Sequence, residues 1–354
     1  MRIVEPLDGA MPLFLDGQEA AIDCLVAAPP GRDVRIGGAR AAFADGRYGA
    51  KVPLSHFKNE ICFEDRTGGE RAQVTVYRLR AAEKRFRLSV DDNIWFLQDI
   101  ALKGYQSLFE NPYLALYRDL HRRYGVKVHM NVYLECPERG GFHLSQMPNR
   151  HRDEWLENRD WLHLSFHARA NLPDKPYESA GYGQVRADCE AVQREIERFA
   201  GPVGPVTTLH WAEATPEGIR ALYDCGVRAL LGDMALDDAG RPAICYSASP
   251  EQFAAVRRHC FYRDPRSRMI FFPCDAVLNA LSPAEIGPAL DAMADAWPGR
   301  GFVDILMHEQ YFYPDYENHL PDYRQRLEAG ICWCLERGYR GGFVEEIIDF
   351  NASF

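Results

Sequence analysis

The stretch Arg85–Asn93, RFRLSVDDN, decides how the chain is read. It is a short apolar run that ends in two aspartates, and after it apolar runs alternate with amphipathic segments. The runs are candidate strands and the amphipathic segments are candidate helices. The later candidate strands are KVHMNVYL, DWLHLSFH, PVTTLH, VRALLG, RMIFFP and FVDILMH. Because strand and helix alternate about seven times, the pattern favours a distorted, parallel (β/α)7–8 barrel over an open sheet.

The candidate helices lie between these strands, at residues 95–121, 183–200, 215–225, 251–260 and 284–296. Two of them have a complete start signal. Ser249 and Ser282 each precede a proline and stand three residues before a Gln or a Glu. This is the pattern of a capping box with proline in the first helical position, so we expect helices to begin directly after these serines.

Residues 1–82 follow a different pattern, with β-type runs broken by Gly, Asp and Pro at intervals of about 8–12 residues. Residues 41–54 alternate apolar and polar side chains around Ala-Asp-Gly, as a hairpin does. The pattern predicts a small antiparallel sandwich. The string VRIGGARAAFADGRYGAKVPLSHFKNEICFED also resembles the bacterial Ig-like repeat. We therefore expect an Ig-like β-sandwich domain at 1–82 and an α/β barrel domain at 83–354.

Charge and hydropathy exclude several classes of partner. The 41 Lys and Arg against 51 Asp and Glu give a net charge of −10, without a basic block. Binding to nucleic acid or to an anionic membrane needs a concentrated positive face, so neither is expected. No apolar run approaches the roughly 20 residues of a membrane span. The opening MRIVEPLDGAMPLFLDGQEA is acidic where a signal peptide is basic and then apolar, which favours a cytoplasmic protein. The sequence does not indicate an oligomeric state.

Four candidate strands end in side chains that can bind a metal ion or move a proton. The first ends in Asp91 and Asp92, the third in His167, the fourth in His210 and the last in His308. In a barrel, the carboxyl ends of the strands form one rim, where active sites lie. Asp, His and His suit Zn²⁺ or another first-row ion with an open position. We therefore expect a divalent ion, zinc first, with nickel, cobalt, manganese or iron as alternatives.

The third candidate strand carries a second histidine. His163 and His167 lie on one face because side chains alternate with period two. Four residues of an ideal strand span about 13 Å. The two side chains can therefore bind one ion together only if the strand ends near His163; otherwise only His167 lies at the rim.

The strand-end motifs resemble those of the NodB-type polysaccharide deacetylases, carbohydrate esterase family four. SVDDN resembles the T-F-D-D-G motif, ILMHEQ the closing L-x-H motif, and HLSFH the H-[ST]-x-x-H motif. The resemblance implies a metal-dependent hydrolase that cleaves the C–N bond of an acetamide group on an amino sugar or a related small amide. It also implies that Asp91 is the catalytic base, that His308 is the general acid and that Asp92 binds the metal beside two histidines.

The identity of the second histidine ligand stays open. HLSFH makes His163 and His167 the ligands, whereas HARAN, read from His167, places Asn171 at the second position. The family's arginine motif, R-x-P-x-G, is missing, and LHWAEATPEG stands in its place. His210 and Glu213 are therefore candidates for the third ligand or for the role of that arginine.

The residues beside the rim positions are candidates for contact with a small-molecule or oligosaccharide substrate. They are His210, Trp211, Glu213, Glu309 and Tyr311. Exposed aromatic rings stack on the C–H faces of sugars, although the same rings also suit an apolar lid. Two other functions stay open. One is a carbohydrate-binding barrel without catalytic activity, and the other is a metal-free glycoside hydrolase that uses Asp92 and Glu213 as a carboxylate pair about 5–10 Å apart.

Overall fold

The computed structural model describes residues 1–352; residues 353 and 354, the end of the expected barrel domain, lie outside the described residues. The strands of residues 1–82 are β1 (Arg2–Glu5), β2 (Ala10–Leu15), β3 (Ala21–Ala27), β4 (Val34–Ile36), β5 (Ala39–Arg40), β6 (Ala42–Ala44), β7 (Arg47–Pro53), β8 (Lys58–Asp65), β9 (Glu70–Tyr77) and β10 (Leu79–Ala81).

The later strands include all seven that the sequence predicts. They are β11 (Arg85–Asn93), β12 (Val128–Tyr133), β13 (Glu135–Cys136), β14 (Phe142–His143), β15 (Leu162–Ala168), β16 (Val206–Thr207), β17 (Ala229–Gly232), β18 (Ala235–Leu236), β19 (Pro242–Ala243), β20 (Cys260–Arg263), β21 (Ile270–Pro273), β22 (Ala276–Val277), β23 (Phe302–His308) and β24 (Arg340–Gly341).

The α-helices lie mainly between these strands. They are α1 (Trp95–Lys103), α2 (Pro112–Tyr124), α3 (Arg152–Glu157), α4 (Tyr182–Phe199), α5 (Pro216–Asp224), α6 (Pro250–His259), α7 (Pro283–Ala296) and α8 (Tyr323–Glu336). Both predicted capping boxes are present, and α6 and α7 begin directly after their serines. In the described part of the chain, none of the helices combines the length and the apolar character that crossing a bilayer requires.

The single helix expected over residues 95–121 is wrong, because the structure divides it into α1 and α2. Gly104 ends α1 in the left-handed region at φ 65°. Asn111 then caps α2 through its side chain, and Pro112 takes the first helical position. A left-handed glycine followed by an Asn-Pro start is a stop signal and a start signal in succession, so the amphipathic pattern continues across a break.

Residues 1–82 form two four-stranded antiparallel sheets, ordered β1-β3-β7-β6 and β5-β4-β8-β9. Side chains from both sheets share one apolar cluster, which includes Cys24, Val26 and Phe63. The predicted hairpin joins β6 to β7 through Asp45 and Gly46, both at positive φ, as a two-residue hairpin turn requires. The assignment of this region to the Ig-like class stays a prediction.

The remaining strands form two larger sheets. One has the parallel order β15-β12-β11-β23-β22, with β24 beside β11. The other has the order β10-β2-β20-β21-β17-β16 and contains antiparallel pairs at β20. Within residues 1–352, no strand of one sheet pairs with a strand of the other, so a closed barrel stays a prediction. Because β2 and β10 belong to the second sheet, residues 1–82 contribute strands to it; the domain boundary at 82 also stays a prediction.

The parallel sheet places the candidate site at the end of β11. Strand β11 lies between β12 and β23, and Asp91 stands opposite His308 in the register of β11 and β23. Below the site, a buried ion pair joins Arg87 to Asp304 at 2.8 Å, and Ser89 donates a hydrogen bond to the same carboxylate. The carboxyl ends of β11 and β23 therefore meet at one edge, as the sequence predicts.

Candidate metal centre

Three side chains from separate segments converge at the end of β11. Asp92 Oδ1 lies 3.0 Å from His167 Nε2 and 3.3 Å from His210 Nδ1. The three potential ligand atoms all lie within 4.8 Å of one another, and all three residues are buried. Asp92 lies near the end of β11, where the pairing with β12 is irregular between Val90 and Asn93, and its backbone is in the left-handed region at φ 65°. His167 is the second-to-last residue of β15, and His210 follows the short strand β16.

The second nitrogen of each histidine faces a backbone carbonyl. His167 Nδ1 lies 2.5 Å from the Thr208 oxygen, and His210 Nε2 lies 3.0 Å from the Asn171 oxygen. A carbonyl oxygen only accepts, so these nitrogens carry the ring protons. In the neutral rings, the lone pairs of the other two nitrogens therefore point at the Asp92 carboxylate. Three acceptor atoms so close together repel one another unless a proton or a cation lies between them.

The Asp92 carboxylate is held in its ionised form. Burial alone would raise its pKa, but when the imidazoles of His167 and His210 are protonated, their hydrogen bonds, together with the charge of His308, hold the pKa well below its usual value. Burial acts to lower the pKa of His167, yet the nearby Asp91 and Asp92 raise it. A negative charge is therefore kept in a pocket with two imidazoles, where a cation is strongly favoured.

These residues fit a divalent metal ion. Histidine ligands of metals usually donate their other ring N–H to a carbonyl or a carboxylate, and both histidines do so here. Two imidazoles and one carboxylate form a common ligand set of catalytic zinc sites and leave a coordination position open. The buried Tyr133 hydroxyl supports the group: it donates to Asp92 Oδ1 and lies 2.9 Å from His210 Nδ1.

The two residues expected to move protons lie beside this cluster. Asp91 accepts a hydrogen bond from Asn131 Nδ2 at 2.6 Å. His308 Nδ1 lies 2.8 Å from Asn279 Oδ1, which leaves Nε2 as its free ring nitrogen. His308 is half-buried, unlike the two histidines of the cluster, so its ring is open to an incoming molecule. The Tyr311 ring centroid lies 6.2 Å from that of His308.

His163 and Glu309 lie outside the cluster. His163 stands near the start of β15, where its ring stacks on Phe343 at 3.8 Å and its Nδ1 lies 3.6 Å from Glu345. Glu309 is fully buried, and its carboxylate accepts the backbone N–H groups at the start of α1. The structure therefore gives both residues structural contacts and does not bring them to the three ligand atoms.

The other expected site residues surround His210. Asn171 contributes its backbone oxygen to His210, and its side-chain oxygen lies 3.2 Å from the Tyr133 hydroxyl. Glu213 accepts the backbone N–H of Ile244 at 3.1 Å. Trp211 is 42% exposed, and its backbone is in the left-handed region at φ 67°.

Comparisons with known proteins find structural likenesses at low identity. A family 4 carbohydrate esterase from Streptomyces lividans, in complex with acetate, matches with a TM-score of 0.39 and 12% identity over 74% of this chain and 94% of that one. A CE4 family pseudoenzyme from Bacillus anthracis matches with a TM-score of 0.41 and 10% identity, over 77% of this chain and 68% of that one. A 4-alpha-glucanotransferase from Thermococcus litoralis matches with a TM-score of 0.47 and 12% identity, over 75% of this chain and 40% of that one.

No protein-family model and no curated protein sequence matches the chain. The matched structures include carbohydrate esterases of family 4, the family that the sequence motifs resemble. None of the three TM-scores above reaches 0.5, so the activity is inferred from the residues of the site itself.

Three residues of the site are not among those that the sequence analysis selects: Asn131, Tyr133 and Asn279. A pattern in the sequence could have identified Asn131 and Tyr133 as site residues. In the apolar run KVHMNVYL, the residues His129, Asn131 and Tyr133 recur with period two, as the polar face of a strand does. Asn279 lies in a short loop before α7, and no pattern in the sequence marks it.

Proposed function

We propose that the protein is a metal-dependent hydrolase that cleaves the C–N bond of an acetamide group on an amino sugar or a related small amide. One observation carries this proposal: Asp92, His167 and His210 direct three acceptor atoms at one point beside Asp91 and His308. The strand-end motifs support it, because the family that they resemble performs this reaction with a base, a metal-binding aspartate and an acid in corresponding places.

Asp92, His167 and His210 would hold the ion, with zinc as the first candidate and nickel, cobalt, manganese or iron as alternatives. His210 would replace the second histidine of the family's H-[ST]-x-x-H motif, whose position is taken by Asn171 when the motif is read from His167. When bound, such an ion polarises the amide carbonyl and makes water a better nucleophile.

Asp91 and His308 would carry the two proton transfers. Asp91 takes a proton from the water as the water oxygen attacks the amide carbon. His308 then gives a proton to the nitrogen as the C–N bond breaks, so that a free amine and acetate leave. The Asn279 amide oxygen keeps the proton of His308 Nδ1 in place, which makes Nε2 the nitrogen that donates. Each transfer is typically worth about 10²–10⁴ in rate.

Two aromatic side chains at the rim, the exposed Trp211 and the half-buried Tyr311, would contact the substrate. The Trp211 indole is partly exposed directly after a proposed ligand, and Tyr311 lies near His308. Aromatic faces of this kind suit the C–H face of a sugar ring. We propose that these two rings hold a small molecule or an oligosaccharide with its acetamide group above the cluster.

The test is turnover of small acetylated amino sugars, followed by the release of acetate and of free amine. We expect activity in the purified protein loaded with zinc, its loss with a chelator, and a decrease of at least about 100-fold in Asp91→Asn and in His308→Ala. Full activity in both variants would contradict the proposal. Release of new reducing ends without acetate would instead support the carboxylate-pair glycoside hydrolase, and sugar binding without turnover would support the non-catalytic barrel.

A further inference from the structure

The Asp91 carboxylate has an unusual partner for a buried acid. Asp91 is 3% exposed, and its Oδ1 accepts the Asn131 amide at 2.6 Å. Among residues 1–352, no lysine or arginine forms an ion pair with it. The arginine of the same strand, Arg87, pairs with Asp304 instead, at 2.8 Å. A neutral amide therefore fixes this carboxylate.

The orientation of Asn131 follows from its surroundings. A carboxylate only accepts hydrogen bonds, so the amide NH₂ faces Asp91 and the amide oxygen faces away. On that side, the hydroxyls of Ser165 and Thr207 lie 2.9 Å and 3.0 Å from Asn131 Oδ1. Each hydroxyl has one proton, which can go to this amide oxygen or to a second acceptor, the Val206 backbone oxygen for Ser165 and the Phe166 backbone oxygen for Thr207. Asn131 is completely buried, and its amide oxygen contacts one side chain from β15 and one from β16.

We infer that Asn131 is the positioning residue for the proposed base. It holds Asp91 through Oδ1 and leaves Oδ2 as the oxygen that meets the attacking water. A neutral donor fixes the direction of the carboxylate without placing a positive charge beside it. This inference rests on the proposed function and adds to it a residue that acts only through Asp91.

A second feature makes the geometry rigid. Ser165 Oγ also lies 2.5 Å from His129 Nε2, and the backbone oxygen of Asn131 accepts from Asn93 Nδ2 at 3.0 Å. Asn131 is therefore fixed through its side chain and its backbone at once. A misplacement of about 1 Å at a reacting group costs rate without a loss of substrate affinity.

The test uses Asn131→Leu, a variant of similar size without the donor, and Asn131→Ala, a smaller variant that also lacks the donor. We expect kcat to fall by about 10–100-fold in both, with KM and metal content within about twofold of the wild type. The matched control is Ser89→Ala, which removes another buried hydrogen bond of β11 that does not reach Asp91. Ser89→Ala should keep the wild-type kcat even if its stability falls as much as that of the Asn131 variants.

A double-mutant cycle separates positioning from a structural role. If Asn131 acts only through Asp91, adding Asn131→Leu to Asp91→Asn should produce no further loss of kcat. Independent, multiplicative losses, or wild-type kcat in both Asn131 variants, would overturn the inference while leaving the proposed function intact. A wild-type protein without hydrolytic activity would overturn both together. If one variant does not fold, the other provides the same comparison.

Discussion

The carboxylate of Glu309 accepts the backbone N–H of Ile94 at 2.6 Å, although 215 residues separate them in the chain. The same carboxylate accepts the N–H groups of Trp95 and Phe96. Helix α1 has no side-chain cap within its own sequence, so Glu309 supplies one from the segment after β23. The backbone N–H of Glu309 in turn donates to the backbone oxygen of Asp91 at 3.0 Å. One residue therefore joins the segments that carry the proposed base and the proposed acid.

Removal of this cap should destabilise the fold. In Glu309→Ala, three N–H groups at the start of α1 lose their acceptor inside the protein, and we expect the free energy of unfolding to fall by about 3 kcal/mol. Urea unfolding measures the change. Glu317→Ala, an exposed glutamate in the same loop, is the matched control and should change stability by less than about 0.5 kcal/mol. Equal stability of the two variants would contradict the capping role.

The contribution of Glu309 should also depend on pH. Burial raises the pKa of Glu309 to about 7, against the opposing effect of the three N–H donors and the Tyr313 hydroxyl. A carboxyl whose pKa is raised on folding favours the folded state most below its unfolded pKa, near 4.5, and this contribution declines as the pH rises through about 7. The stability difference between the wild type and Glu309→Ala should therefore shrink from pH 4.5 to pH 7. A difference that grows over this range would show that the carboxyl is ionised more easily in the folded state.

Trp211 offers a test of the substrate-contact proposal that separates binding from stability. Its φ of 67° is unfavourable for any residue with a Cβ, by about 1–2 kcal/mol. We expect Trp211→Gly and Trp211→Ala to raise KM by a similar factor, because both lack the indole. The glycine variant should be more stable than the alanine variant by about 1 kcal/mol. An unchanged KM in both variants would remove Trp211 from the substrate site.

The hydrogen bond between His308 and Asn279 should matter for turnover and not for metal binding. Asn279→Leu removes the acceptor for His308 Nδ1, so the ring is free to rotate or to change tautomer. We expect kcat to fall by about 10-fold, with the bound metal unchanged. Asn279→Asp keeps an acceptor and should retain more of the activity. If the leucine and aspartate variants have equal rates, this contact does not hold the acid in place.

The sequence predicts the strands of the fold well because each is a compact apolar run between clear breaks. It fails over residues 95–121, where an amphipathic pattern continues through Gly104 and Asn111 even though the backbone turns twice. The capping role of Glu309 is also beyond a local reading, because its partners lie more than 200 residues earlier in the chain. Contacts of that kind depend on which strands become neighbours, and local patterns do not specify this.

The candidate site shows the same division between local and distant information. The end of β11 and the end of β15 predict Asp92 and His167, because a strand end is visible in the sequence. Choosing between His163 and His210 as the second histidine ligand requires the three-dimensional structure. His163 shares the strand and the face of His167 but lies at its other end, against Phe343 and Glu345. His210 comes from another segment and meets Asp92 at 3.3 Å.

The most direct test is therefore the metal content of the purified protein, measured by elemental mass spectrometry beside four single variants. We predict about one equivalent of a first-row divalent metal in the wild type and in His163→Ala. We predict loss of that metal in Asp92→Ala, His167→Ala and His210→Ala, because each removes one of the three converging ligand atoms. Retention of the metal in His210→Ala together with its loss in His163→Ala would contradict the proposed centre, and a wild type that binds no metal after reconstitution would contradict the metal-dependent mechanism.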